Sequence, residues 1–211
     1  MFDHNHLPNI GLTEGIIPLE IYKALNKEIV DIHTASETNT LDENGIVQMN
    51  HSLAGQITKE YQITKSLPLL NPYLEEMSRA YQKEWNYYPK ENPNNNNLKV
   101  ESVWVNMQKK LELNPLHDHD GTLSFVAWLH VPFKLQDERN MDNVKNARTV
   151  ELASTFQFVY TTALGQIANC PLFVENGWEG RIIMFPAKLL HMVYPFQSSD
   201  DYRISIAGNL Y

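Results

Sequence analysis

With 211 residues, 43% apolar and 20% charged, the chain can bury about 70% of its surface in one globular unit, which excludes disorder as its main state. Its 25 acidic and 17 basic side chains leave a net charge of −8, which disfavours a nucleic-acid partner because phosphate binding needs a basic stripe. A single cysteine, Cys170, excludes a disulfide scaffold, and no apolar run approaches the roughly 20 residues of a membrane span. The opening segment, Met1 to Gly15, lacks the charged and apolar regions of an export signal, so a cytoplasmic setting is expected.

The first predicted element is a helix from Pro18 to Ile32, where Leu19, Tyr22, Leu25, Ile29 and Ile32 recur at helical spacing. A second begins near Asn71, a residue that caps, followed by Pro72, which suits a first turn; Leu74, Met77, Tyr81 and Trp85 share one side. Both helices are expected to pack on a sheet. The run Glu91-Asn92-Pro93-Asn94-Asn95-Asn96-Asn97 reads as a turn and divides a largely helical support region, residues 1–97, from a β-rich core over 98–211, the two forming one domain.

Beyond that run the period changes to two. Val100 to Met107, Leu123 to Val131, Thr155 to Thr161, Arg181 to Phe185 and Arg203 to Ala207 read as strands rich in β-branched and aromatic residues. Asn114-Pro115, Asp120-Gly121 and Glu175-Asn176-Gly177 read as turns, and the charged stretch Leu135 to Arg148 as a long loop. The fold class is therefore mostly β with N-terminal helices, a sandwich or barrel of many short strands.

The chemistry concentrates in Asn114-Pro115-Leu116-His117-Asp118-His119-Asp120-Gly121. In an extended segment residues two apart share a side, so His117 and His119 can converge on one ion while Asp118 and Asp120 face away. A third ligand must come from elsewhere. Downstream, Phe185-Pro186 ends a strand and a turn delivers His191, and Arg203 and Ser205 share a face of the last strand. An inward Arg needs an anion there: either a bound carboxylate or one of the protein's own acids.

The arrangement over Val100 to Asn209 resembles the 2-oxoglutarate- and Fe(II)-dependent oxygenases built on a double-stranded β-helix, or jelly roll. More narrowly, Asn-Pro-x-His-x-His-x-Gly followed by Leu123-Ser124 is similar to a branch common in marine phages and bacteria. The resemblance implies Fe(II) as metal and 2-oxoglutarate as cosubstrate. It also implies His117 and His191 as ligands, Arg203 with Ser205 on the cosubstrate's far carboxylate, and Asn106 as a further cosubstrate contact. Hydroxylation of a small-molecule or peptide substrate in the cytosol, that of a host if the chain is phage-encoded, would follow.

One departure bears on the metal. The family's carboxylate ligand falls at His119, so the site is either a three-histidine centre or one in which Asp118 or Asp120 swings in. Two alternatives stay open: a cupin-like metal dioxygenase without 2-oxoglutarate, and a non-enzymatic jelly roll that binds a ligand or belongs to a virion. His4, His6, His51 and His130 are weaker candidates, and Cys170 reads as a small hydrophobe.

Overall fold

The structure, a computed structural model, describes residues 11–211. His4 and His6 lie outside them. Chain order runs β1 (Thr13–Ile16), α1 (Leu19–Glu37), β2 (Glu60–Gln62), α2 (Leu67–Trp85), β3 (Val100–Gln108), β4 (Asn114–His117) and β5 (Leu123–His130). It continues with α3 (Leu135–Arg139), β6 (Phe156–Thr161), β7 (Ile167–Leu172), β8 (Arg181–Pro186), β9 (Leu190–Val193) and β10 (Arg203–Leu210). A six-stranded sheet in the order β1-β8-β5-β10-β3-β2 faces a four-stranded one, β4-β9-β6-β7, and every pairing is antiparallel. This is a double-stranded β-helix.

Alternation along the strands sorts two cores. Val103, Val105, Met107, Phe125, Ala127, Ile182 and Ile206 point outward from the larger sheet and bury against Leu25, Ile29, Leu74 and Tyr81 of the two long helices. Val126, Trp128, Ile183 and Phe185 point the other way and meet Phe156 and Phe158 of the smaller sheet. β5 is thus buried on both faces, which explains its nearly unbroken apolar run.

Three elements depart from the sequence expectation. Asn71 does not cap α2, which begins one turn earlier at Leu67. The reason is tertiary: the buried carboxylate of Glu28 on α1 accepts hydrogen bonds from the backbone N–H groups of Thr64, Lys65 and Ser66 at 2.7–2.8 Å and anchors the chain entering α2. Asn114-Pro115 opens strand β4 instead of a turn, tolerated because β4 is an edge strand paired only with β9, where a missing N–H breaks no ladder. The stretch Leu135 to Arg148 begins with a short helix, since Glu138 is buried and accepts from Ser154 Oγ and the N–H groups of Gln197 and Ser198. His191 sits on strand β9, directly across from His117 on β4.

Candidate metal centre

His117, His119 and His191 each direct a ring nitrogen into one small space, and one donor atom from each lies within 4.8 Å of the others. Strand pairing brings His117 and His191 together, and His119 follows in the same extended path, its N–H held by the carbonyl of Ala187 at 2.9 Å. Gly121 then turns the chain into β5 at φ +98°, where a side chain would press on the Leu210 carbonyl. Asp118 and Asp120, between and after the histidines, are exposed and reach Lys188 at 3.8 and 3.1 Å. Among the described residues no carboxylate joins the histidine cluster.

The donor set fits a divalent metal. Nδ1 of His117 lies 2.6 Å from the carbonyl of Pro115, and Nδ1 of His191 lies 2.9 Å from that of Leu189. Those carbonyls take the Nδ1 protons and leave Nε2 of each ring as a lone pair. Nε2 of His119 and Nε2 of His191 are 3.2 Å apart. Two nitrogens about 2.1 Å from a shared ion, at tetrahedral to octahedral angles, sit about 3.0–3.4 Å apart.

An aromatic wall surrounds the cluster: Phe156 stacks on His191 with ring centroids 5.5 Å apart, Phe185 meets it edge-on at 5.1 Å, and Trp104 packs against His119 at 5.6 Å. Burial, reinforced by the neighbouring His117, lowers His191 to about 3 and His119 to about 4, and burial also lowers His117. All three are therefore neutral, the form in which imidazole binds metal. The native rings stay neutral where the unfolded chain takes up protons below about pH 6.5, so their contribution to stability is full above that pH and lost as pH falls. The metal-free protein is expected to show a urea midpoint that drops between about pH 6.5 and pH 4, and His191→Gln should flatten that drop.

The last strand supplies the second feature. Arg203 is 3% exposed, and its Nε and one terminal nitrogen donate to Gln108 Oε1, its cross-strand partner on β3. Phe133 and Phe196 flank the guanidinium at 5.9 and 5.8 Å. Burial lowers its pKa to about 10 even though the Glu138 charge acts to raise it. Glu138 itself is committed to Ser154, Gln197 and Ser198, and among the described residues no acid forms an ion pair with Arg203. The alternative of a salt bridge to one of the protein's own acids is thus not realised. Ser205 and Asn106 are cross-strand partners one step along the same face, and Arg203, Ser205, Asn106 and the three histidines line one cavity between the sheets.

A sequence model of the family described as "Putative 2OG-Fe(II) oxygenase" matches residues 102–209, just over half of the chain. The chain belongs to this family.

The oxygenase's fold recurs in solved structures. A prolyl-4-hydroxylase from Pseudomonas putida is 11% identical with a TM-score of 0.54, over 94% of this chain and 91% of that one. AviO1 from Streptomyces viridochromogenes Tue57 is 11% identical with a TM-score of 0.54, over 95% and 89% of the two chains. SnoK, a non-heme alpha ketoglutarate dependent carbocyclase from nogalamycin biosynthesis, is 12% identical with a TM-score of 0.54, over 95% and 79%. At such identities the likeness is one of fold. No curated protein matches the oxygenase.

The remaining sequence candidates fall elsewhere. His130 pairs with Asp201 at 3.2 Å on the surface, His51 is exposed, and Cys170 is half-buried on β7. Sequence reasoning missed Gln108, which orients Arg203, and Glu60 and Asn114, which line the cavity. Period-two alternation from Asn106 would have reached Gln108; nothing in the local pattern singles out Glu60. Among the described residues no helix is long and apolar enough to cross a membrane.

Proposed function

We propose that this oxygenase hydroxylates a small-molecule or peptide substrate, with Fe(II) held by His117, His119 and His191 and 2-oxoglutarate held by Arg203, Ser205 and Asn106. The observation that carries the reading is a buried guanidinium without an acidic partner in the same cavity as three convergent, neutral histidines. An unpaired buried charge is costly, so a bidentate carboxylate is the natural complement of Arg203. When bound, Fe(II) with 2-oxoglutarate would let dioxygen, the oxidant, hydroxylate a C–H bond, one oxygen atom entering the substrate and the other the succinate that forms as the cosubstrate loses carbon dioxide.

The chain's own residues do the positioning. Gln108 accepts from Arg203 and so fixes the plane of its guanidinium at the cavity wall, and Ser205 offers a hydroxyl on the same strand face. The carbonyls of Pro115 and Leu189 hold two imidazoles in the ligating tautomer, and Phe156, Phe185 and Trp104 keep water from the cluster. In this reading residues 1–97 support a catalytic core over 98–211, within a single domain. The Asn114 to Gly121 motif supports membership of the phage and bacterial branch, and a lone cysteine agrees with a cytosolic setting, whether a cell's own or that of a phage host.

Anaerobic addition of Fe(II) and then 2-oxoglutarate should produce the weak visible charge-transfer band of a chelate, and aerobic turnover should release succinate. Absence of both would overturn the reading. A second reading, a metal dioxygenase that does not use 2-oxoglutarate, is favoured by the all-histidine donor set. It would be established by iron binding without 2-oxoglutarate binding.

The ligand set has its own test. Because Asp118 and Asp120 face Lys188, Asp118→Ala and Asp120→Ala are expected to bind iron within about threefold of the parent, whereas His119→Ala should lose at least about a hundredfold. Metal analysis after dialysis reads the outcome; loss of iron in Asp120→Ala with retention in His119→Ala would restore a carboxylate ligand.

A further inference from the structure

The cavity contains a polar corner that neither the histidines nor the Arg203 end uses. Glu60 lies on β2, in register with Asn106 on β3 and, through it, with Ser205 on β10, so the three form one row across the inner face of the larger sheet. Glu60 is 1% exposed, yet its Oε2 has no hydrogen-bond partner, and Oδ1 of Asn114 is also buried without one. Both residues line the cavity. A methyl placed on Gly55 would meet Asn114 Oδ1 at 2.5 Å and Glu60 Oε1 at 2.6 Å, so the two oxygens converge beside this glycine, where a side chain would displace them.

This corner has a chemical polarity. Glu60 is the only carboxylate among the described residues lining the cavity, and Arg203 is the only lysine or arginine. One strand, β3, separates theirs, which sets the two backbones about 10 Å apart. That spacing lets the charges serve opposite ends of the cavity contents. Glu60 stands outside the histidine cluster, and among the described residues no donor reaches its Oε2. Burial, with the charge of Glu112 adding to it, raises its pKa to about 7, and a cation beside it would favour the ionised form.

We propose that Glu60 and Asn114 bind a protonated primary amine of the substrate, which makes the substrate class small amines, amino acids or peptides presenting an ammonium group near the oxidised carbon. Two convergent acceptors, one of them anionic, repel a carboxylate or phosphate and leave a neutral group's own acceptors unmatched. An ammonium brings three donors and a charge in a compact head. A guanidinium fits less well, since its planar fork matches two oxygens of one carboxylate, not single oxygens from two residues. The proposal rests on this cavity being the oxygenase active site.

The test uses the full chain, first metal-free and then loaded with zinc, with ligand-observed NMR as readout. The probes are the common L-amino acids and n-propylammonium, each set against its N-acetyl counterpart at millimolar concentration. At least one cationic member should bind the parent, about ten- to hundredfold more tightly than its N-acetyl form. Glu60→Gln, which keeps the shape, and Gly55→Ala, which displaces both oxygens, should each abolish that preference while 2-oxoglutarate affinity and metal content stay unchanged. Above about pH 7, where the carboxyl ionises, Glu60→Gln should also melt at or above the parent's temperature, because it removes a buried unpaired charge. The proposal fails if no cationic member binds, if the N-acetyl forms bind equally well, if Glu60→Gln retains the preference, or if that variant is markedly less stable. A parent that prefers amines but binds neither metal nor 2-oxoglutarate would overturn the oxygenase reading and leave the amine site standing.

Discussion

Arg203→Ala is expected to weaken 2-oxoglutarate binding by at least about a hundredfold while iron binding stays within about threefold of the parent. Breaking a buried, hydrogen-bonded charge pair costs about 3–5 kcal/mol, and each 1.4 kcal/mol is a factor of ten. Lysine keeps the charge but loses the fork that engages Gln108 and would engage a carboxylate, so Arg203→Lys should fall between the two. Calorimetric titration of 2-oxoglutarate into the metal-loaded protein measures all three. A companion variant separates binding from folding. Arg203 lies in the free protein without an acidic partner, so Arg203→Met, which fills similar volume between Phe133 and Phe196, should be as stable as the parent or more so. If Arg203→Ala bound the cosubstrate as the parent does, the anion site would lie elsewhere.

His191→Ala should abolish stoichiometric iron binding. Its Nε2 lies 3.2 Å from Nε2 of His119, its tautomer is held by the Leu189 carbonyl, and its ring packs against Phe156 and Phe185. Removing the ring deletes a ligand and opens a space in an aromatic wall, costing about 2–4 kcal/mol of stability as well. His191→Gln, polar and closer in size, keeps the test clean: it should fold near parental stability and still lose at least about a hundredfold in iron affinity. Iron content by metal analysis, beside unfolding by urea, distinguishes the two effects. Full occupancy in a folded His191→Gln protein would remove His191 from the ligand set.

What was readable in the sequence was what depends on local periodicity. The change from helical spacing before Trp85 to alternation after Val100 matches helices α1 and α2 and strands β3, β5, β6, β8 and β10. Those segments carry enough β-branched and aromatic residues in a row to declare themselves. The short strands β1, β2, β4, β7 and β9 did not, because three to six residues, one run with a proline at its second position and another with one near its end, carry too little pattern. Alternation also placed Arg203 with Ser205 on one face, and the structure adds that this face is the inner one.

Pairing across the sheets was decided only by the tertiary structure. No spacing in the chain reveals that His191 stands opposite His117, since they lie 74 positions apart and only the β4 to β9 register joins them. Glu28 shows the same limit, setting the start of α2 from 36 to 38 residues away through three backbone hydrogen bonds. Glu60 shows it most fully: in sequence it is one acid among 25, and it stands out only because β2 pairs with β3 and buries its carboxyl with Oε2 left without a partner among the described residues. Secondary structure follows from neighbours along the chain, so composition and period determined the fold class and the histidine motif. Burial and charge environment follow from neighbours in space, so the desolvation of Glu60 and Arg203 came from the packing of the two sheets.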